Sequence, residues 1–326
     1  MFSTLSIVLP IFALILAGYL SRRMNLLGAG AATELNRFVI YLALPALLFD
    51  IMAKVSWAQL DQPGFIAAFG LGAGILYLLT VLARVRRGQL LADASIDGIA
   101  AAYANTGYIG FPLCLIVFGR DSLAAVTIAT IITVCVLFAV AIVVIESSLQ
   151  RGGGLRMLGK VGLSLLRNPL LMAPLLGAAW ATLGWPMPAS AETFLKLLGG
   201  AASPCALVGL GLFLARQPTS DSRRDLAPAW LVGVKLILQP ALTWFFAYRV
   251  FAVPAALAPV AVLLAALPTG TGPFMLAEFY RREAGSTSRA ILWSTVGSLV
   301  TLTLLLAWIG PGAAAAAAAT SAASTG

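Results

Sequence analysis

The sequence predicts an all-α membrane protein of ten transmembrane helices arranged as two inverted five-helix repeats. Three observations predict it. First, of 326 residues 60% are hydrophobic and only 10% charged, whereas soluble globular domains are about 25% charged. Second, ten apolar segments are each long enough to cross the hydrocarbon core as a helix. Third, two short motifs recur at nearly one offset, and basic residues collect in alternate loops. Ten spans of about 20 residues use about 200 residues, which leaves short loops and no room for a soluble domain.

The ten segments are roughly 4–21, 37–53, 64–83, 96–118, 122–146, 168–186, 193–215, 228–250, 255–279 and 289–309. They divide the chain into a first repeat (1–146), a cytoplasmic linker (147–167), a second repeat (168–310) and an Ala/Ser/Thr/Gly tail (311–326), for which disorder or a frayed helix is expected. Residues 1–5 carry no Lys or Arg, so the first segment reads as a span and not as a cleaved signal peptide.

The net charge of +9 could point to nucleic acid. Here the basic residues lie in short clusters between apolar runs, and orientation in the membrane explains them better. Loops after the odd spans carry Arg22, Arg23 and Arg37; Arg84, Arg86 and Arg87; Arg151, Arg156, Lys160 and Arg167; Arg216, Arg223 and Arg224; and Arg281, Arg282 and Arg289. The even loops carry Lys54, Arg120, Lys196 and Arg249. The positive-inside rule then places the odd loops in the cytoplasm and both termini outside. Trp57, Trp185 and Trp308 fall at outer ends of spans, as an aromatic belt requires.

The halves resemble each other. Leu44-Pro45-Ala46-Leu47 echoes Ser203-Pro204-Cys205-Ala206, and Gly110-Phe111-Pro112-Leu113 echoes Thr271-Gly272-Pro273-Phe274, at offsets of 159 and 161 residues. A five-span unit has odd parity, so its second copy inserts with opposite topology, a pattern common in secondary transporters.

Two segments carry the chemistry. Span 4 reads Tyr103-Ala-Asn105-Thr106-Gly107-Tyr108-Ile109-Gly110-Phe111-Pro112, and span 9 reads Pro268-Thr269-Gly270-Thr271-Gly272-Pro273. Proline inside a helix removes a backbone donor and clashes with the preceding turn, so both helices are expected to unwind near mid-bilayer. Bare backbone at that depth is tolerated only against protein or a water-filled cavity, and two breaks at matching positions point to a binding site. Pro112 and Pro273 suit the first turn of each second half-helix, where a missing N–H costs nothing. The free N–H groups and positive dipole ends then face the site. No Asp or Glu lies near either break, so an anion is favoured over a cation. The expected substrate-binding residues are Asn105, Thr106, Gly107, Tyr108 and Pro112 with Pro268, Thr269, Gly270, Thr271 and Pro273. The alternative is that Gly and Pro merely kink packed helices.

Lys235 lies inside span 8, with Gln239 one helical turn on. A buried ammonium is a functional candidate by default. It is expected either to meet the substrate's carboxylate or to tether carbonyls exposed at a broken helix, and Gln239 shares both readings. Glu34, Asn36 and Glu192 stand near span starts and are expected to cap helices. Asp50 and Glu146, near span ends, are expected to be solvated. Pro45 and Pro204 are expected to kink spans 2 and 7, the alternative being that they line one wall of the site.

These residues give the chain a resemblance to the auxin efflux carrier family, which contains plant auxin carriers and bacterial malate or malonate permeases. The resemblance covers about residues 1–310. It rests on Asn36-Arg37-Phe38-Val39 with Leu44-Pro45-Ala46-Leu47-Leu48-Phe49, on Asn105-Thr106-Gly107-Tyr108-Ile109-Gly110-Phe111-Pro112-Leu113, on Lys235-Leu236 with Gln239-Pro240, and on the Pro268 to Pro273 break. It implies that broken helices 4 and 9 cross, that spans 1, 2, 6 and 7 form a scaffold, and that spans 3–5 and 8–10 form a moving unit. It also implies an elevator-like cycle and a homodimer. The linker between the halves is short, unlike that of many plant carriers, so a bacterial inner (plasma) membrane permease fits better than a hormone carrier.

The expected function is therefore a secondary transporter for small organic anions, carboxylates above all, working in the lipid bilayer without nucleic acid, metal or other cofactor. The alternative is a sodium- or proton-coupled symporter of the same fold, similar to bile-acid symporters, which would want carboxylates at a coupling site. An enzyme is not expected. The chain has no His, which excludes imidazole-based zinc sites and Ser-His-Asp triads. Cys114, Cys135 and Cys205 fall in apolar runs and read as packing residues.

Overall fold

The computed structural model describes residues 2–28, 30–54, 61–149, 163, 166–216 and 227–323, and side chains between Leu9 and Ile309 within those ranges except those of Arg120, Arg216 and Ala227. Trp57, Arg151, Arg156, Lys160, Arg223, Arg224 and most of the expected linker lie outside the described residues. The described backbone is helical and contains no strand. The helices are α1 (Phe2–Arg23), α2 (Ala31–Phe38), α3 (Leu44–Ala53), α4 (Pro63–Arg86), α5 (Leu91–Ala102), α6 (Phe111–Phe118), α7 (Leu123–Thr130) and α8 (Phe138–Leu149). There follow α9 (Pro169–Leu183), α10 (Ala189–Gly200), α11 (Ala202–Arg216), α12 (Ala227–Gly233), α13 (Gln239–Phe245), α14 (Ala258–Ala265), α15 (Gly272–Phe279) and α16 (Gly285–Ala323). Several run together through wide π turns. Six of the resulting rods are long and apolar enough to cross a membrane: Ala31–Ala53, Pro63–Arg86, Leu123–Leu149, Ala189–Ala215, Pro228–Val250 and Gly285–Ile309. The protein is thus an integral membrane protein. The tail does not begin as coil, since α16 continues through Pro311 to Ala323.

Proline explains three of the π turns. Val39–Ala43, Thr106–Gly110 and Val234–Leu238 are π-helical, and each ends two residues before a proline, at Pro45, Pro112 and Pro240. A proline ring cannot donate and pushes against the preceding turn. One wide turn takes up that misfit without ending the helix. The π turns at Ile131–Leu137 and Phe246–Val250 have no such proline behind them.

The helices sort into two groups by where their backbones touch. A Cβ added at Gly211 of α11 would stand 2.0 Å from the Ile15 carbonyl oxygen of α1, and one at Gly199 of α10 would stand 3.0 Å from Leu47 Cα of α3. On the other side, a Cβ at Gly72 of α4 would stand 2.6 Å from Thr243 Oγ1 of α13. Small residues permit such close approach, and this is how membrane helices gain packing energy without a hydrophobic drive. All the described glycines with tight neighbours pair within one of two sets: α1–α3 with α9–α11, or α4–α8 with α12–α16. Between the sets the polar contacts are long: Asn36 Nδ2 donates to the Met275 carbonyl at 3.4 Å and Asn168 Nδ2 to Tyr280 Oη at 3.5 Å.

Several polar residues differ from expectation. Asn36 caps nothing; it is buried and reaches across to α15. Its helix, α2, starts from Gly30 without a side-chain cap. Asn168 is the capping residue, its Oδ1 accepting from Leu170 N at 3.0 Å. Glu146 is not solvated: it is buried and accepts from Tyr280 Oη at 2.8 Å. Asp50 pairs with Lys54, which also meets Glu192 at 3.2 Å. Glu34 pairs with Arg37 on the surface at 3.3 Å. Arg84 and Asp97 form a buried pair at 2.9 Å, and Arg282 grips Asp93 with two bonds of 2.7 and 2.5 Å. Trp185 and Trp308 are both 60% exposed, facing outward as a belt would.

Candidate functional site at the meeting of two interrupted helices

Helix stops at Ala102 and resumes at Thr106, and stops again at Ala265 and resumes at Gly272. The two interruptions lie against each other. Asn105 N donates to the Pro268 carbonyl at 2.9 Å, and Gly270 N donates to the Tyr103 carbonyl at 3.0 Å. Ala104 and Thr269 thereby form one antiparallel bridge. The expected crossing of the two breaks is thus present as a pair of backbone hydrogen bonds.

The last carbonyls of a helix have no partner within it, and here side chains supply partners. Gln239 Nε2 donates to the Ala102 carbonyl at 3.0 Å, and Thr269 Oγ1 to the Ala100 carbonyl at 2.9 Å. Lys235, wholly buried, donates from Nζ to the carbonyls of Ala265 at 2.8 Å and Leu267 at 2.5 Å. A cation is favourable at the negative end of a helix dipole. Of the two roles open to Lys235 and Gln239, these bonds fill the tethering one.

The other ends face open space. A cavity of about 290 Å³ adjoins the first break. Of the expected residues, Asn105, Thr106, Gly107, Tyr108 and Thr271 line it. Pro112, Lys235, Gln239, Pro268, Thr269, Gly270 and Pro273 do not. Opening N–H groups of a helix lack intrahelical acceptors, and Gly107 and Tyr108 bring two of them to the cavity wall. The Thr106 hydroxyl is fully buried and has no hydrogen-bond partner in the described structure. The cavity has no charged lining residue. Its far wall is supplied by the other helix set: Leu44, Leu47 and Ile51 of α3, Gly199 and Gly200 of α10, and Ser203 of α11. The sequence offered Pro45 and Pro204 as one wall of the site; the cavity is lined instead by residues near those prolines in sequence, Leu44 and Leu47 on one side and Ser203 on the other. Tyr103 was also missed. Its ring lines the cavity and covers Gly270 and Gly272, where an added Cβ would stand 2.8 and 2.7 Å from it.

Proline placement differs between the breaks. Pro273 stands in the first turn of α15, as expected. Pro112 does not open its half-helix, because the π turn Thr106–Gly110 precedes it. The N–H groups offered to the cavity therefore come from Gly107 and Tyr108, about a turn earlier than the proline alone suggests.

Two interrupted helices that meet beside a cavity, in a protein of apolar rods, define the class of a membrane transporter. A family profile described as "Membrane transport protein" matches residues 4–306, and the chain belongs to that family. It is 32% identical over 317 residues to a Rhizobium meliloti protein named "Putative malonate transporter", covering 94% of this chain and 96% of the relative. It is 29% identical to an "Uncharacterized transporter" of Methanothermobacter thermautotrophicus, with 91% and 95% covered. It is 23% identical to "Auxin efflux carrier component 8" of Arabidopsis thaliana, with 94% and 96% covered. The auxin efflux carrier relationship read from the sequence therefore holds, and the protein is a transporter, not an enzyme.

Proposed function

We propose that the protein is a secondary carrier of small organic anions, carboxylates above all, that binds its substrate at the first break. The observation that carries this is the pairing of the unpartnered, buried Thr106 hydroxyl and the helix-opening Gly107 and Tyr108 N–H groups, beside the Asn105 amide, with a cavity that has no acidic side chain. A positive helix end with free N–H groups suits a carboxylate. Leu44, Leu47 and Ile51 opposite suit its carbon skeleton. The name of the Rhizobium meliloti relative agrees with a carboxylate substrate.

The carrier has ten spans in two inverted repeats and works by an elevator-like movement. The division of tight glycine contacts into two sets supports this, since the sets coincide with spans 1, 2, 6 and 7 and with spans 3–5 and 8–10. The cavity lies where the sets meet. It is a bacterial inner-membrane protein and a homodimer, with both termini outside the cytoplasm. Ion coupling is not needed by the site: Asp97, the nearest carboxylate on α5, is held by Arg84.

The test is a thermal-shift screen of purified protein against small carboxylates and their uncharged amides. A ligand that binds the native state raises its stability, by about 2.7 kcal/mol at 100 times its Kd. Stabilisation by acids and not by amides is expected. Equal shifts from both would sink the anion reading.

A further inference from the structure

The two helix sets leave a second opening along their seam. A cavity of about 640 Å³ lies between the Ile131–Leu149 stretch and α9. Val136, Val140 and Val143 face Leu171 and Leu175 across it, and all its lining residues are apolar. Apolar cavities stay dry, and within the hydrocarbon zone the surrounding solvent is lipid. From Ile131 to Val144 the opening follows about 20 Å of helix, against about 15 Å for the hydrocarbon of one leaflet. Val136, Val140 and Leu175 are 53, 43 and 62% exposed, so the groove is open to the bilayer along its length.

A basic residue follows one end in sequence. Leu166 lines the groove at its α9 end, and the next residue, Arg167, is exposed and has no carboxylate partner among the described residues. Positive-inside bias assigns this end to the cytoplasmic leaflet, which carries anionic lipid. The geometry points to a binding site for one anionic phospholipid per chain, an acyl chain lying between Val140 and Leu175 and the phosphate against the Arg167 guanidinium. Arg suits phosphate because its planar fork donates two parallel hydrogen bonds. The site is separate from the substrate cavity and does not depend on what is carried.

Native mass spectrometry of the full chain, exchanged into mixed micelles holding equal phosphatidylglycerol and phosphatidylcholine, tests this. The wild type is expected to retain one phosphatidylglycerol per chain, in preference to phosphatidylcholine. Ala139→Trp, which fills the groove from one wall, should lower retention about tenfold, and Ala178→Phe should do the same from the other wall. Leu79→Trp, on an exposed face of α4, should leave retention unchanged. Arg167→Gln should erase the headgroup preference while a lipid still binds. Retention unaltered in both groove-filling variants, an equal loss in Leu79→Trp, or an intact headgroup preference in Arg167→Gln would each overturn the proposal. Because the readout is bound lipid, a failed carboxylate screen leaves this result standing, and the converse also holds.

Discussion

The two interrupted helices look alike in sequence and face different things. The first break, Tyr103 to Asn105, opens onto a cavity and leaves donors unused. The second, Ala266 to Thr271, reaches the cavity only through Thr271 and is otherwise held: Lys235 bonds the Ala265 and Leu267 carbonyls, Ser294 Oγ accepts from Thr269 N at 3.1 Å, and the Tyr103 ring lies on its glycines. Tyr103 is in turn backed by Phe138, ring centroids 5.8 Å apart. Near-symmetric sequence has thus given an asymmetric site. One break opens onto a cavity, and the other is the support against which the first is held.

This contrast can be broken most forcefully at Lys235. Lys235→Met removes a buried cation and orphans two carbonyls, each worth about 1–3 kcal/mol. A loss of about 3 kcal/mol is expected in unfolding measurements in detergent, and a loss under 1 would mean that the second break is not held this way. Gly272→Ala comes next. Its Cβ would stand 2.7 Å from Tyr103 Cζ and 3.0 Å from Phe138 Cε2, and overpacking of this kind costs about 1–3 kcal/mol. The matching change at the first break, Gly107→Ala, meets nothing within 4 Å. It should leave thermal stability within about 0.5 kcal/mol, and its methyl group would project into free space beside the cavity.

A smaller effect is expected at Gln239, the one side chain of α13 that supports the first break from behind. Gln239→Leu should cost about 1 kcal/mol through the Ala102 carbonyl, read as a modest drop in melting temperature. Least disturbing to the fold is Asn105→Ala, which removes an amide from the cavity wall. Its melting temperature should match the wild type, while carboxylate affinity measured by calorimetry falls about tenfold, equal to 1.4 kcal/mol. If Asn105→Ala lowered stability and left affinity alone, the roles given to the two breaks would have to be exchanged.

Much of this was readable in the chain. Gly and Pro in spans 4 and 9 announced the breaks, because no regular helix accommodates them. The cavity's far wall was readable only as far as the neighbourhoods of Pro45 and Pro204. Leu47, Ile51 and Gly200 look like any lipid-facing residue, and only the approach of α3 and α10 to the first break makes them part of a site. Glu146 was misjudged for a related reason. Its position near a span end suggests solvent, but Tyr280, 134 residues away in sequence, covers it. The role of Lys235 was open until its acceptors were known, since an ammonium serves a substrate carboxylate and a row of carbonyls equally well.

The two backbone bonds joining Asn105 to Pro268 and Gly270 to Tyr103 act as a rivet. Pulling it would strand four polar groups in hydrocarbon, at several kcal/mol apiece. The two interrupted helices are thereby held as one stiff piece, like shears pinned at the pivot.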